Sequence, residues 1–309
     1  MNDTLLVASI ASAISSSTAV LIAATGELLV EKTGVYNIAL EGVMLVGALA
    51  GFLVDLSSGS WLLGLLAAAV AGGLFALLYG VITVLFRTDL IVVGVALILV
   101  AQGVTDTLGT SHVGQSAKSV IPIWNLPLLS RIPFVGPALF RQSIVTYVAI
   151  LLPVGAAYLL NRTRHGLNIK AIGENPEAAD TSGISVIGWR LFYTGVGGAM
   201  AGIGGAVITL GIVKDWVSDV TAGEGWIAFA VVFFSGWQPG WVIAGAYFFG
   251  ALSVLGDVGQ ALGWSIPSEF FTVLPYIGTI LVMILRAWLQ RRRGAVSWPA
   301  ALGLPFYRG

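Results

Sequence analysis

Long stretches without a single charged residue divide this sequence. Eight such intervals cover residues 4–26, 42–54, 56–86, 90–105, 142–161, 191–213, 225–256 and 270–285. A membrane-spanning helix needs roughly 20 predominantly apolar residues. The 309-residue chain is 10% charged, whereas soluble proteins carry about 25%. The pattern predicts an all-α, polytopic helical membrane protein, with residues 1–309 forming one transmembrane domain.

The seventh interval holds the turn sequence Ser-Gly-Trp-Gln-Pro-Gly at 235–240, which breaks a helix and gives nine predicted spans. The first basic residue is Lys32, so the N-terminal stretch lacks the positive region of a secretory signal and is interpreted as span one. The positive-inside rule then places the N-terminus outside and the C-terminus inside the cell membrane. The predicted inner face holds eleven basic residues: Lys32, Arg87, Arg162, Arg164, Lys170, Arg190, Arg286, Arg291, Arg292, Arg293 and Arg308. The outer face holds four: Lys118, Arg131, Arg141 and Lys214.

Two loops are long enough to have a role of their own. The external loop 111–141 contains four prolines, which indicates either an extended, partly ordered cap or a plain connector. In the cytoplasmic loop 162–190, the sequence from Asn175 to Gly183 predicts one short helix. Asn175 is a suitable N-cap, Pro176 fits the first position and Gly183 fits the stop. Such a helix either packs on its own membrane domain or docks into a cytoplasmic partner.

Polar residues inside predicted spans are candidates for a translocation pathway. Glu41 is costly in lipid and is functional by default; the alternative is a structural carboxylate bonded to Lys32 or to the backbone. Asn37 and Gln102 either line the pathway or bond across helices. Trp226 and Phe229 either stack on a planar or sugar ring or anchor the chain at the interface.

Glycine spacing predicts close helix contacts. Gly47 and Gly51 form one Gly-x-x-x-Gly pair, and Gly198 and Gly202 form another. Such pairs let backbones approach, by default inside the subunit and alternatively at a subunit interface. Gly26-Glu27 and Gly223-Glu224 each lead into an interrupted apolar stretch, from opposite sides of the membrane. This arrangement is compatible with an inverted repeat.

Several function classes are disfavoured. The chain has no Cys and two His, and the histidines fall in loops on opposite faces, so neither a metal site nor an intramembrane catalytic centre is expected. Zero net charge gives no argument for nucleic-acid binding. No Gly-x-x-x-x-Gly-Lys-[Ser/Thr] loop occurs, so ATP would be bound by another chain. An autonomous ion-coupled transporter stays open, because Glu41 and Asp106 are candidate proton carriers.

Three motifs resemble one transporter family. They are Gly-Glu-Leu-Leu-Val-Glu-Lys-Thr-Gly-Val-Tyr-Asn-Ile-Ala-Leu-Glu-Gly-Val-Met-Leu-Val-Gly-Ala at 26–48, Ile-Gly-Glu-Asn-Pro-Glu-Ala-Ala-Asp-Thr-Ser-Gly-Ile at 172–184, and Ile-Pro-Ser-Glu-Phe-Phe-Thr-Val-Leu-Pro-Tyr at 266–276 with Pro-Ala-Ala-Leu-Gly-Leu-Pro at 299–305. In this order they resemble permease subunits of ABC importers of the branched-chain amino acid, sugar and nucleoside superfamily. The sequence at 34–42 departs from the pattern of amino acid members and is closer to the nucleoside branch.

The resemblance implies a division of labour between subunits. This chain would form half of the pathway for a nucleoside or related small polar solute, with sugars or branched-chain amino acids as alternatives. A second related permease, a separate ATPase that uses the ATP, and an extracytoplasmic lipoprotein would complete a heteromeric importer. The coupling loop to the ATPase would comprise Gly173, Glu174, Asn175, Pro176, Glu177, Ala178, Ala179, Asp180 and Gly183. No cofactor of the chain's own is expected.

Overall fold

The computed structural model describes residues 3–125, 127, 129–132, 135–264, 267–293 and 298–307. Its helices in the described ranges are α1 (Asp3–Glu31), α2 (Leu40–Ser58), α3 (Trp61–Gly80), α4 (Leu90–Gly109), α5 (Val135–Leu139), α6 (Ile144–Arg162), α7 (Arg164–Glu174), α8 (Pro176–Thr181), α9 (Val186–Val207), α10 (Glu224–Ser235), α11 (Pro239–Ala261) and α12 (Ser268–Arg293). Helices α3 and α9 continue as π-helical turns, Val81–Leu85 and Ile208–Ile212. Single 3-10 turns lie at Thr110–His112 and Leu129–Arg131. Strands β1 (Ile123–Asn125) and β2 (Arg141–Ser143) form an antiparallel pair.

The helical membrane architecture predicted from the sequence is confirmed. Seven helical stretches in the described part are long and apolar enough to cross a membrane: α1, α2, α3 with its π turn, α4 with its 3-10 turn, α6, α9 with its π turn, and α11. The apolar part of α12, Val273–Leu285, and α10 are shorter. Helix α10 has 12 residues, about 18 Å at 1.5 Å per residue, so it covers little more than half of a bilayer core of about 30 Å.

Two predicted boundaries move along the sequence. Gly26 and Glu27 lie inside α1, which runs on to Glu31, and the interruption comes after them at residues 32–39. The predicted break at 235–240 lies where α10 ends and α11 begins. Sequence reasoning missed Glu27 and Glu31 as buried residues, because both follow the end of the charge-free interval at residue 26. The structure shows that both side chains are fully buried.

Helices α2, α3 and α9 form the tightest part of the bundle, and glycines make this contact. A Cβ added to Gly47 on α2 would lie 2.3 Å from the Cα of Gly202 on α9. A Cβ on Gly198 would lie 2.1 Å from the Cβ of Ala76 on α3. Gly51 faces Ala206 in the same way, at 2.7 Å. Both glycine pairs of the sequence therefore pack inside the subunit, with backbone against backbone.

Gly47→Ala tests this packing. The added methyl group has no space against the Gly202 backbone, so α2 and α9 must separate, and we expect a loss of about 1–3 kcal/mol of unfolding free energy. The matched control is Gly103→Ala on α4, where an added Cβ meets nothing within 4 Å. Thermal unfolding of both variants in detergent gives the measurement. Equal melting temperatures for the two variants would contradict the packing argument.

The segment between α4 and α6 is fixed to the bundle. The carboxylate of Asp55, at the end of α2, accepts hydrogen bonds from the backbone N–H groups of Lys118 and Ser119 at 2.8 and 3.1 Å. An isolated bridge joins Ser116 to Asp215, beyond α9. Asp55 is fully buried, so it pins the loop rather than marking a surface turn.

The bundle has two ends, which we call the loop end and the α8 end. The loop end carries the described residues between 111 and 143, including Lys118, next to Lys214. The α8 end carries α7, α8 and residues 298–307, together with Lys32, Arg87 and Arg190. This separation agrees with the charge bias in the sequence, although Arg308 lies outside the described residues. That the α8 end faces the cytoplasm stays a prediction.

Candidate functional site

Two non-helical segments enter the bundle from opposite ends and meet near its middle. Residues 32–39 enter from the α8 end and lead into α2, whereas residues 213–223 enter from the loop end and lead into α10. Each of the two helices has a Glu-Gly pair at its start, Glu41-Gly42 and Glu224-Gly225. Gly42 lies against Leu97, Ile98 and Ala101, in the middle of α4, which places the meeting point at the centre of the bundle.

The contacts of residues 213–223 with α2 show how far this segment runs into the bundle from the loop end. Trp216 packs on Phe52 of α2, with ring centroids 6.0 Å apart. Five residues later, Thr221 bonds Glu41 on the same helix. Glu41 and Phe52 are eleven residues apart, or about 16 Å along α2. The segment therefore travels about half the thickness of the bundle before α10 starts.

Glu41 binds the start of α10. Its Oε1 accepts hydrogen bonds from the Thr221 hydroxyl at 2.6 Å and from the Gly223 N–H at 3.0 Å. Its Oε2 accepts one from the Gly225 N–H at 2.7 Å. The side chain is 4% exposed. A helix N-terminus has free N–H groups and a partial positive charge. The Glu41 carboxylate accepts hydrogen bonds from these N–H groups and offsets the charge at a position that is buried from water.

The structure therefore supplies Glu41 with the hydrogen-bonded role that the sequence left as an alternative. The partners are the start of α10 rather than Lys32. Gly225 is necessary for the contact, because a Cβ there would lie 2.5 Å from the Glu41 Cα. One carboxylate thus joins α2 and α10, the two helices that begin at the centre.

Backbone hydrogen bonds hold residues 32–34 to the end of α1, and side chains supply further partners along residues 32–39. The Asn37 N–H donates to Glu27 Oε1 at 2.8 Å. The Tyr79 hydroxyl donates to the Tyr36 carbonyl at 2.6 Å. At the α8 end, Arg190 Nε donates to the Thr33 carbonyl at 3.1 Å. Irregular backbone within a membrane protein needs such partners, because lipid offers none.

The two predicted amide residues lie in different surroundings. Asn37 is fully buried, and its Oδ1 and Nδ2 find no hydrogen-bond partner among the described residues. Gln102 is half-buried on α4 and lies next to Ala101, which contacts Gly42. Asp106, one turn further along α4, is exposed. Asn37 and Glu41 therefore flank the start of α2, and Gln102 lies on the helix that packs against it.

Aromatic rings line one side of α10. Trp226 is 39% exposed near the centre of the bundle. Phe229 and Phe233 follow it at helical spacing, with centroids 5.0 Å apart, and Tyr36 packs on both, at 6.2 and 6.4 Å. Trp237 closes the row towards the α8 end, 5.2 Å from Phe233, and its Nε1 donates to Glu31 Oε2 at 2.5 Å.

A cavity of about 390 Å³ opens beside this row. Tyr36, Phe233, Trp237, Met283 and Trp298 are among the residues that line it. The predicted pair Trp226 and Phe229 thus forms the part of a longer aromatic row that lies nearest the centre of the bundle. Sequence reasoning missed Tyr36, Phe233 and Trp237. Phe233 was readable from its helical spacing to Trp226 and Phe229, whereas Tyr36 and Trp237 lie outside α10 and had no such signal.

Helix α8 has the caps that the sequence predicts. The Asn175 side chain accepts a hydrogen bond from the Ala178 N–H at 3.0 Å, and Pro176 occupies the first turn. Gly183 follows the helix with a φ of +84°, a conformation that glycine adopts without strain. Gly173, the penultimate residue of α7, lies against Lys32: an added Cβ would lie 2.3 Å from the Lys32 carbonyl oxygen.

The two alanines of α8 differ in exposure. Ala179 is 3% exposed and packs with Ile172, Val186 and Phe306 in a small apolar cluster. Ala178 is exposed, as is Glu177. The sequence assigned both alanines to a docking surface, and the structure corrects this for Ala179, because every third or fourth residue of so short a helix must face its support.

The sequence also matches a described protein family. The family model for the branched-chain amino acid transport system / permease component matches residues 9–283. The chain belongs to this family. No solved structure matches this permease.

Curated relatives extend over most of the permease. It is 36% identical to the putative glucose ABC transporter permease protein TsgC13 of Haloferax volcanii, over 81% of this chain and 77% of the relative. It is 34% identical to the nucleoside ABC transporter permease protein NupC of Lactococcus lactis, over 87% and 89%. It is also 34% identical to the guanosine ABC transporter permease protein NupQ of Bacillus subtilis, over 94% and 93%. The chain is therefore a membrane-embedded ABC transporter permease, and its family works with ATPase and substrate-binding components.

Two further residues of the permease carry contacts that the sequence analysis did not assign. Asp55 holds the segment between α4 and α6, and Arg190, 3% exposed, bonds the Thr33 and Leu304 carbonyls. Asp55 was interpreted as a span boundary and Arg190 as an inner-face charge. A charged residue that directly flanks an apolar interval can lie at the membrane surface or be buried in the bundle. The sequence carried no signal that distinguished these two positions for Asp55 or Arg190.

Proposed function

We propose that the permease forms half of the translocation pathway of an ATP-driven importer for a nucleoside or a related small polar solute. The observation that carries this proposal is the meeting of two interrupted elements at Glu41. Discontinuous helices near the bilayer midplane are where transporters build substrate sites. Here the start of α10 and the start of α2 lie at that level, and the aromatic row continues from there to the α8 end.

The residues around the start of α2 and α10 suit a solute with a planar ring and hydrogen-bonding groups. Trp226 and Phe229 would offer ring faces for stacking. The amide of Asn37 is buried and unpartnered in this conformation, and it would offer a donor and an acceptor when the pathway opens. These features favour a nucleoside. A sugar, as the name of the Haloferax volcanii relative states for that protein, would use the same amide and one ring face. A branched-chain amino acid is the third candidate.

The other components of the importer follow from what this chain offers. We infer that the exposed side of α8 docks on a separate ATPase, which binds the ATP, so that the permease needs no cofactor. A second related permease would cover the exposed Trp226 at the start of the aromatic row and complete a heterodimer. An extracytoplasmic lipoprotein would deliver the solute at the loop end.

The organisation of the chain supports one further part of the proposal. We infer a single transmembrane domain with an external loop at 111–141 and a cytoplasmic coupling loop at 162–190. Helices α1 and α9 are each followed by a non-helical segment and a helix with Glu-Gly at its start, and the two segments enter from opposite ends. This correspondence is the reason for inferring an inverted repeat.

Reconstitution tests the proposal. The permease, the second permease, the ATPase and the lipoprotein are placed together in proteoliposomes, and uptake of a radiolabelled nucleoside is followed with ATP inside or outside. We expect uptake that requires ATP on the ATPase side and that is competed by unlabelled nucleoside more strongly than by a sugar. Stronger competition by a sugar or a branched-chain amino acid would reassign the solute.

The ion-coupled alternative predicts the opposite outcome. Uptake by the permease alone, lost with a protonophore and independent of ATP, would overturn the proposed function. The placement of Glu41 argues against that alternative, because its carboxylate is engaged by three donors and lies against α10.

A further inference from the structure

We propose that the C-terminal segment 298–307, called here the tail segment, transmits motion from the coupling helix α8 to the translocation pathway, with Arg190 as a positioning residue. The inference rests on the proposed function. It adds a physical connection between two parts of the permease that are far apart in sequence. Four sets of contacts carry it.

The tail segment is packed directly on α7 and α8. Phe306, 6% exposed, shares one apolar cluster with Ala179 on α8, Ile172 on α7 and Val186 on α9. The Ala301 N–H donates to the Gly173 carbonyl at 2.8 Å. A displacement of α8 therefore displaces the tail segment, because close-packed groups cannot slide independently without opening a void.

The same segment is bonded to residues 32–39. The Gly303 N–H donates to the Gly34 carbonyl at 3.0 Å. Arg190 bridges residues 32–39 and the tail segment. Its Nε donates to the Thr33 carbonyl and its Nη1 to the Leu304 carbonyl, both at 3.1 Å. The planar guanidinium holds both carbonyls in one fixed geometry.

The tail segment also touches the aromatic row. A Cβ added to Gly303, whose φ is +77°, would lie 2.6 Å from the Tyr36 ring. Tyr36 packs on Phe229 and Phe233 of α10. Any side chain larger than hydrogen at 303 would therefore push on the ring that borders the pathway.

A last contact ties the end of the tail segment to α3. The Arg87 guanidinium, just after the π turn that ends α3, lies over the Tyr307 ring at 4.5 Å. Such cation–π contacts stabilise partly exposed sites. The tail segment is thus held at its end, in its middle and along the coupling helix.

These contacts form a continuous path from α8 to α10. It runs from Ala179 to Phe306, along the tail segment to Gly303, and through Tyr36 to Phe233. Coupling between distant sites requires a packed element that both sites displace. The tail segment meets that description, since an ATPase that moves α8 moves the backbone of residues 32–39 and the ring of Tyr36 with it.

Two variants test the proposal in the complete importer. Phe306→Ala removes the ring that joins the tail segment to α8. Arg190→Lys keeps the charge but cannot reach both carbonyls with one rigid group. We expect each variant to assemble with the ATPase and to hydrolyse ATP, while solute uptake per ATP hydrolysed falls about tenfold. Leu304→Ala is the matched control, because that side chain is 57% exposed, and it should leave the ratio unchanged.

Hydrogen exchange separates transmission from mere loss of structure. In the wild-type importer, a non-hydrolysable ATP analogue should change exchange in both α8 and residues 32–39. In Phe306→Ala the change in α8 should persist, and the change in residues 32–39 should be lost. An undiminished response of residues 32–39, or an unaltered uptake ratio in both variants, would overturn the inference. Absence of ATP-driven uptake in the wild type would instead contradict the proposed function.

Discussion

Glu41→Gln should lower uptake by the reconstituted importer at least about tenfold, the equivalent of about 1.4 kcal/mol. The amide keeps the shape of the side chain, but its NH₂ group must face donors: Thr221, Gly223 and Gly225 all donate to the carboxylate. A hydrogen bond to a charged group contributes about 1.5–3 kcal/mol. The variant should also melt at a lower temperature, because the start of α10 loses its counter-charge.

Asp106→Asn is the matched control for this charge removal. Asp106 is exposed on α4 and has no part in the contact with α10, so uptake and melting temperature should stay within error of the wild type. Uptake is measured together with the amount of folded permease in the vesicles. Wild-type uptake by Glu41→Gln would show that the carboxylate is dispensable, and loss in Asp106→Asn alone would favour the ion-coupled alternative.

Ala178→Arg should abolish co-purification of the ATPase and reduce uptake below about a tenth of wild type, as expected when a docking hot spot is blocked. The side chain of Ala178 is exposed, so the permease itself should keep its melting temperature. Ala179→Arg should behave differently. It places a charge in the cluster with Phe306, and an unpaired buried charge destabilises the fold locally.

Ala171→Arg provides the control for charge and size. Ala171 is exposed on α7, outside α8, and its substitution should leave the ATPase bound. Co-purification and thermal unfolding are measured on all three variants. An ATPase that stays bound to Ala178→Arg would remove α8 from the docking surface, whereas equal melting temperatures for Ala178→Arg and Ala179→Arg would contradict the packing of Ala179.

The helices were predictable because lipid imposes a simple rule on sequence. Charge-free intervals located every long apolar helix, and the turn residues at 235–240 located the break before α11. The shortness of α10 was not predictable in the same way. Residues 213–224 contain four charged residues and one glycine, which is typical of a surface loop. The contacts of Trp216 with Phe52 and of Thr221 with Glu41 show that this segment runs into the bundle.

The candidate site was predictable in part for a similar reason. Glu41 stood out because a carboxylate inside an apolar interval is rare. Its partners lie about 180 residues away, and no local pattern specifies a pairing at that distance. The caps of α8 are local and were readable from Asn175, Pro176 and Gly183, whereas the burial of Ala179 depends on Phe306, more than 120 residues further along.

The carboxylate between α2 and α10 limits how this permease can open. A gate that swung α10 away from α2 would leave a carboxylate and two amide N–H groups facing hydrocarbon, each without a partner. We therefore expect α2 and α10 to move as one rigid unit. Alternating access would then come from tilting that unit, with α3 and α9 packed behind it, against the neighbouring subunit rather than from the bending of a single helix.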